Sequence, residues 1–243
     1  MSLFLETAKL KRTGFFPAFL FGGLLAGAFP VVNMAARPER FIYQQLPAPE
    51  VLAHANWQMI AMLNLFFVII GACVMYHTEY SNRAIQKMEV LPQRAAIRFA
   101  AKAAVLFISL AFVLLLEAVS FAFCIYRWFP EEGNVWIQLI KMFGYALALS
   151  LPAVFFMLLI ASVCHNMWIS LGVGVIFLFI VTVLPQENDL VSFLPFALPF
   201  QTLENTVDMS DILQRLFAVA GETVLLFAAQ VFLWNVRRDT VWA

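Results

Sequence analysis

The sequence predicts an all-α integral membrane protein with six transmembrane helices. Two observations support this prediction: only 12% of the 243 residues are charged, and the apolar residues are gathered into long blocks. A soluble domain usually carries about 25% charged residues. A block of 18 or more apolar residues can cross a bilayer core of about 30 Å as one helix. Because backbone groups in lipid must be hydrogen-bonded within their own segment, we expect each block to be helical.

Six blocks have the required length. Two of them contain a single charged residue each, Glu117 and Glu222, and the other four contain none. A shorter apolar run, 190–203, contains Pro195 and Pro199, so we predict a re-entrant or interfacial segment between the fifth and sixth helices. The chain is thus predicted to be one transmembrane domain, 1–243, with spans at about 14–36, 57–76, 103–126, 142–164, 166–186 and 216–236.

The first block follows Lys9, Lys11 and Arg12, an arrangement that signal peptides also show. Its apolar run is longer than the usual signal-peptide core of about 7–15 residues. We therefore predict an uncleaved first span, preceded by an amphipathic interfacial helix within residues 2–13.

The distribution of Lys and Arg predicts the orientation. With the N-terminus inside, ten of the fifteen basic residues fall on the inner face together with four acidic residues. The outer face then carries five basic and nine acidic residues. Both termini are predicted to be cytoplasmic, with Lys87 inside and Asp189 outside.

The longest inner loop has a definite order of features. Glu79 and Arg83 are spaced i,i+4, as on a surface helix. Pro92 would end that helix, and a basic stretch containing Arg94 then leads into the third span. Contact with anionic lipids would account for the charges alone, but it does not account for this order.

The loop resembles the cytoplasmic loop of type-2 ABC exporter permeases, in which such a helix docks on the ATPase subunit. The matching residues are Glu79, Tyr80, Arg83, Lys87, Leu91, Pro92, Arg94, Ala101 and Lys102. Within that family the chain looks most like the small permeases of lantibiotic-immunity exporters (E/G subunits). A departure from the subfamily pattern is Arg83-Ala84, where many relatives carry Gly-Thr or Asn-Thr.

The resemblance implies a transport subunit of the bacterial cytoplasmic membrane rather than an enzyme. Expected partners are two copies of an ABC ATPase, a second homologous or identical permease, the lipid bilayer and an amphipathic peptide substrate, with no nucleic acid. The sequence contains no Gly-Lys dipeptide and hence no phosphate-binding loop of the G-x-x-x-x-G-K-[ST] form. We therefore expect no cofactor on this chain, and we place ATP and Mg in the partner ATPase.

Small residues in two spans suggest close helix contacts. Gly23 and Gly27 form a GxxxG in span one, and Gly172 and Gly174 form a similar patch in span five. Packing within the chain is one explanation. In the resembling family, spans one and five contact the second permease, which favours a permease–permease interface.

The possible substrate contacts are Glu117, Glu222 and the aromatic residues of the outer run, Phe193, Phe196 and Phe200. A charge in the bilayer centre costs about 2.5–3.5 kcal/mol, so such a residue faces a partner or a wet cavity. A structural, hydrogen-bonded glutamate is the alternative for Glu117, an interfacial position is the alternative for Glu222, and a simple plug of the bundle is the alternative for the outer run.

Two further function classes have less support. The three histidines form no H-E-x-x-H motif, and Trp136 stands where an intramembrane protease of the Glu-Glu-x-x-x-Arg kind, beginning at Glu131, would need arginine. An intramembrane enzyme therefore lacks its residues. The three cysteines have no metal-ligand spacing and no metal site is expected. A purely structural membrane protein would not need the docking helix.

Overall fold

The computed structural model describes residues 2–44, 46–81, 95–129, 134–164, 166–183, 194–203 and 209–241. These residues form helices and short turns, and no strand occurs among them. In chain order the helices are α1 (Ser2–Leu10), α2 (Phe15–Ala36), α3 (Glu39–Ile42), α4 (Ala48–Ser81), α5 (Ala95–Trp128), α6 (Val135–Leu149), α7 (Leu151–Val163), α8 (Met167–Val183) and α9 (Met209–Val241), with a 3-10 turn at Leu198–Phe200.

The apolar helices coincide with the six predicted blocks. Five are long and apolar enough to cross a membrane, namely α2, α4, α5, the unit Val135–Val163 that α6 and α7 form together, and α9. The all-helical membrane architecture is therefore confirmed. The sixth, α8, has 17 residues and is about 26 Å long at 1.5 Å per residue. The complete six-span topology remains a prediction.

The fourth predicted span is built from two helices. The break lies at Ser150, one residue before α7 begins with Leu151 and Pro152. Proline has no amide hydrogen to donate, and its ring crowds the carbonyl four residues earlier, so a continuous helix bends there. The Ser150 hydroxyl donates to the Ala146 carbonyl (2.8 Å) at the same point.

The helix α4 lies at the centre of the bundle. It contacts α2, α5, α6, α7, α8 and the 3-10 turn, and it is 34 residues long, which at 1.5 Å per residue is about 50 Å. It therefore extends beyond a bilayer core of about 30 Å and reaches both ends of the bundle. By contrast α9 packs mainly on α7 and leaves large apolar side chains exposed, including Phe217 (75%) and Phe232 (67%).

Contacts between helices show which helix ends lie together at each of the two ends of the bundle. One end of the bundle contains α1, the last turns of α4 and α7, the first turns of α5 and the C-terminal part of α9. The other end contains the end of α2, the short helix α3, the first turns of α4 and residues 194–203. The N-terminal helix and the C-terminal part of α9 thus lie at the same end.

The two glycines of α8 have different surroundings and provide a matched test of helix packing. A Cβ atom on Gly174 would lie 2.9 Å from Ile69 Cγ2 and 2.9 Å from Met157 Sδ, whereas a Cβ on Gly172 would meet nothing within 4 Å. We expect Gly174→Val to lower the free energy of unfolding by about 1–3 kcal/mol through overpacking. Denaturation of the purified chain in detergent measures the change.

Gly172→Val is the control, because it adds the same β-branched side chain to the same helix. Equal losses in both variants would show that valine itself, rather than the close approach of α8 to α4 and α7, causes the destabilisation.

Candidate functional site

Four charged side chains meet where α1, α4 and α5 converge. Lys102 Nζ of α5 contacts Glu6 Oε2 of α1 and Glu79 Oε1 of α4, each at 2.6 Å. Lys9 Nζ of α1 contacts Glu6 Oε1 at 2.8 Å and Glu79 Oε1 at 3.1 Å. Each ammonium group therefore bridges both carboxylates, and we call these four residues the ion cluster.

The ion cluster is largely removed from water. The side chain of Lys102 is 3% exposed, and those of Glu6 and Glu79 are 7% and 8% exposed. A buried charge is costly unless it is paired and hydrogen-bonded, and here two positive charges balance two negative ones. The cluster is net neutral, so the three helices can bring these charges together without leaving one of them unpaired.

The sequence of α1 explains how it reaches the ion cluster. Glu6 and Lys9 are three residues apart and therefore share one face of the helix, and Leu10, next to Lys9, is 2% exposed. Phe4 lies away from the bundle and is 77% exposed. An apolar surface of this kind on a short helix suits the interface of a membrane.

Mutual attraction shifts the ionisation of the α1 residues. Burial raises the pKa of Glu6, but the charge of Lys102 and hydrogen bonds from Lys102 and Lys9 outweigh burial and hold this pKa below its ordinary value of 4.5. For Lys9, burial lowers the pKa, but the Glu6 hydrogen bond and the charge of Glu79 bring it above its ordinary 10.5.

These pKa shifts define the pH window in which the ion cluster stabilises the fold. The contribution of Glu6 is present above its unfolded pKa and is lost as pH falls through the lower folded pKa. The contribution of Lys9 is present below its unfolded pKa and is lost as pH rises through the higher folded pKa. Both contributions are therefore complete at neutral pH.

Polar contacts connect α7 and α9 to the same end. The Tyr80 hydroxyl of α4 donates to the Ser162 carbonyl at 2.6 Å, and the Ser162 hydroxyl donates to Gln230 Oε1 at 2.9 Å. The Arg98 guanidinium lies 4.8 Å from the centre of the Trp234 ring, a cation–π distance. These contacts surround a small cavity of about 40 Å³ beside the ion cluster.

Two of the predicted ATPase-coupling residues lie in this region. Glu79 belongs to the ion cluster, and Tyr80 binds α7. The segment 82–94, with Arg83, Lys87, Leu91, Pro92 and Arg94, lies outside the described residues. The coupling role of all seven residues remains a prediction, but both helices that lead into the segment begin or end beside the ion cluster.

The sequence placed Lys9 before the first span, Lys102 in the inner loop and Glu6 within the predicted interfacial helix 2–13, but it did not show that these residues are partners. Glu6 and Lys102 are 96 residues apart, and nothing in either local pattern connects them. The one available signal was their common placement on the inner face, with opposite charges near the ends of helices.

The GxxxG glycines of α2 face α5 of the same chain. A Cβ on Gly23 would lie 3.0 Å from Leu116 Cδ1, and one on Gly27 would lie 3.4 Å from the Leu116 carbonyl oxygen. Ser120 of α5 donates a short hydrogen bond to the Gly27 carbonyl. In this structure both glycines thus pack against α5 of the same chain, and their place in a permease–permease interface stays a prediction. Gly174 is likewise buried within the chain, whereas Gly172 has open space around its Cα.

Glu117 is fully buried between α5 and α4. It is 0% exposed, and Glu117 Oε2 accepts a hydrogen bond from Asn64 Nδ2 at 3.0 Å. Glu117 Oε1 and Asn64 Oδ1 are buried without a hydrogen-bond partner among the described residues. In this structure Glu117 therefore joins two helices and reaches no open surface. Glu222 of α9 is half-buried, and its Oε2 also has no such partner.

The described part of the short apolar run, residues 194–203, packs into the bundle. Phe196 is 1% exposed and Phe200 is 7% exposed, and the Phe196 ring lies 5.7 Å from that of Phe156 in α7. Trp57 Nε1 of α4 donates to the Pro199 carbonyl at 3.1 Å. These contacts agree with the alternative in which the run packs into the end of the helix bundle. Phe193 lies outside the described residues, and a substrate contact at the other two rings would require them to leave the core.

No candidate metal centre occurs in the part of the chain that the structure describes. There, no three His, Cys, Asp or Glu side chains lie close enough together to hold a metal ion. The described cysteines, Cys73, Cys124 and Cys164, are free thiols.

These features define a class of protein: a multi-pass membrane protein whose apolar helices surround α4 and whose first helix is tied to one end by the ion cluster. The sequence model of the ABC-2 family transporter proteins matches residues 2–181, about three quarters of the chain and all of α1 to α8 except its last two residues. The chain belongs to the ABC-2 transporter family, and it is a membrane permease. No significant match was found among curated proteins or among solved structures.

The ion cluster is testable by removing its most buried charge. We expect Lys102→Met to lower the free energy of unfolding by about 3–5 kcal/mol, because two buried carboxylates lose the more buried of their two shared partners and keep only Lys9. Chemical denaturation of the purified chain at neutral pH measures this change. Lys11→Met, at an exposed position at the end of α1, should change stability by less than about 0.5 kcal/mol. Similar values for the two variants would contradict the structural importance of the cluster.

Proposed function

We propose that the chain is the permease subunit of an ATP-driven exporter whose ATPase is a separate polypeptide. The family match over α1 to α8 carries the proposal. The ion cluster, which joins the two helices on either side of segment 82–94, adds support. ATP and Mg would be bound by two copies of the ATPase, and this chain would supply the membrane passage.

The ion cluster suggests how movement enters the membrane domain. Segment 82–94 connects the end of α4 to the start of α5, and the Glu79–Lys102 contact holds these two helices together near those ends. Glu6 and Lys9 attach α1 to the same point. A displacement of the segment by an ATPase would therefore move α1, α4 and α5 as one unit.

The proposed orientation places the ion cluster on the cytoplasmic side of a bacterial plasma membrane. The excess of Lys and Arg in the segments assigned to the inner face, which include α1 and the loop 82–94, supports this orientation. Six spans with both termini inside follow if α8 and the residues after it complete the fifth span.

The coupling proposal predicts a defined loss of function. We expect Arg83→Glu with Lys87→Glu to abolish copurification of the ATPase with the tagged chain, or to stop transport while ATP hydrolysis continues, because the docking surface changes sign. Copurification from native membranes and transport by the reconstituted complex are the measurements.

The matched control is Arg237→Glu with Arg238→Glu, which makes the same charge change in α9 at the same end of the bundle. Normal assembly and transport in the 83/87 variant would contradict the docking role of segment 82–94, whatever the control does.

A second permease, homologous or identical, would complete the proposed complex. The open space around Gly172 and the exposed face of α8, with Trp168 72% exposed and Ile176 60% exposed, support α8 as part of that contact. For α2 the support comes from exposed residues such as Leu25 (73%) rather than from its glycines.

For the substrate we propose an amphipathic, cationic peptide of the lantibiotic kind, removed from the outer leaflet as a means of immunity or resistance. The support is the resemblance of the loop and the acidic excess of the outer face. Because Phe196 and Phe200 are buried, the peptide would first contact the acidic residues that flank the run 190–203 in sequence, namely Glu187, Asp189, Glu204 and Asp208. An exporter of another hydrophobic substrate is the alternative.

The peptide proposal predicts that these four acids matter as a group. Neutralising them together should lower the tolerance of cells expressing the complete complex to a cationic lantibiotic, because negative charge concentrates such a peptide at the membrane. Minimum inhibitory concentrations provide the measurement, and expression and basal ATP hydrolysis should stay normal.

The control variant neutralises Glu39, Glu131, Glu132 and Asp211, four other acids of the proposed outer face. Unchanged tolerance in the first variant would overturn the peptide proposal and leave the general exporter proposal standing.

A further inference from the structure

A second cavity opens at the end of the bundle opposite the ion cluster. It lies where α2, α3 and α4 meet, and its volume is about 480 Å³. Its walls are formed by two arginines, two amide side chains and two apolar side chains, namely Arg37, Arg40, Asn33, Gln44, Phe41 and Ala55. The volume falls within the range of about 300–1,000 Å³ that is typical of small-molecule sites.

Hydrogen bonds fix the wall of this cavity. Asn33 Nδ2 of α2 donates to Asn56 Oδ1 of α4 at 2.7 Å, and Asn56 Nδ2 donates to the Leu52 carbonyl at 2.9 Å. The Arg37 amide donates to the Asn33 carbonyl, and the Arg40 amide donates to the Arg37 carbonyl, each at 3.2 Å. The end of α2 is thus joined to α4 at the cavity, and local backbone hydrogen bonds hold the turn that carries both arginines.

The two guanidinium groups of the cavity are exposed. No described carboxylate forms an ion pair with the guanidinium group of Arg37 or Arg40. Arginine presents several N–H donors in a plane and suits phosphate and carboxylate groups that accept two hydrogen bonds. Two such groups at one cavity, with amides from Asn33 and Gln44 beside them, favour an anion that also carries polar groups.

The surroundings of the cavity indicate where that anion comes from. Val32 (65% exposed), Ile42 (40%) and Tyr43 (82%) adjoin the lining residues in sequence and expose apolar and aromatic surface. Tyrosine is enriched at the level of lipid headgroups, and exposed aliphatic side chains beside it suit acyl chains. A lipid supplies both a phosphate and acyl chains, which suits this combination of arginines and exposed apolar side chains.

We propose that this cavity binds the headgroup of an anionic phospholipid of the phosphatidylglycerol type. Arg37 and Arg40 contact its phosphate, Asn33 and Gln44 face its hydroxyl groups, and Val32 and Ile42 contact its acyl chains. The site requires only that the chain spans a membrane, so it is independent of the exported substrate and of the ATPase.

Thermal unfolding of the full chain in detergent tests the proposal, with short-chain phosphatidylglycerol as the added lipid. The midpoint temperature should rise with lipid concentration for the wild type. In Arg37→Gln with Arg40→Gln, the apparent affinity should fall about tenfold or more, since charge-assisted hydrogen bonds to the phosphate are lost. Arg127→Gln with Lys141→Gln removes the same net charge from exposed positions and should bind as the wild type does.

Two further additions separate the possible ligands. Phosphatidylcholine with the same acyl chains carries a phosphate but no net charge and should stabilise all variants equally and weakly. Inorganic phosphate should neither raise the midpoint temperature nor compete. The proposal is overturned if the 37/40 variant keeps wild-type affinity, if phosphatidylcholine binds as well as phosphatidylglycerol, or if inorganic phosphate competes at equal concentration.

Discussion

Two carboxylates and the Lys102 ammonium group meet almost out of water where α1, α4 and α5 converge, with the partly exposed Lys9 as the fourth charge, and the arrangement of these helices depends on this contact. Each of these charges would be costly to bury alone, so Glu6, Lys9, Glu79 and Lys102 must arrive together. Their meeting fixes α1 against the bundle and holds the end of α4 beside the start of α5. The remaining helices then pack along α4, which passes through the whole bundle.

Within the apolar part of the bundle, close approach replaces hydrophobic burial as the organising constraint. Lipid is as apolar as leucine, so helices in a membrane associate through tight packing and through hydrogen bonds. Gly23 and Gly27 let α2 lie against α5, and Gly174 lets α8 lie against α4 and α7. The Asn64–Glu117 hydrogen bond joins α4 to α5 at depth.

The two ends of the bundle differ in the charge and size of their cavities. At one end, opposite charges neutralise one another beside a cavity of about 40 Å³. At the other end, a basic cavity of about 480 Å³ lies open, while Phe196 and Phe200 are buried in the core. A substrate contact at Phe196 or Phe200 would therefore require these rings to leave the core.

The sequence by itself determined the helical membrane class, the apolar blocks and the transporter family, because hydropathy and the loop pattern are local properties of the chain. It also singled out Glu79, Glu117 and the four small-residue positions. Only the tertiary structure decided their partners: Lys102 for Glu79, Asn64 for Glu117, α5 for the GxxxG, and the core for Phe196 and Phe200. Contacts between residues tens of positions apart depend on how helices pack, and helix packing leaves no local pattern in one sequence. For the same reason the bend at Ser150 could be anticipated from Pro152, whereas the ion cluster could not be anticipated from its separate charges.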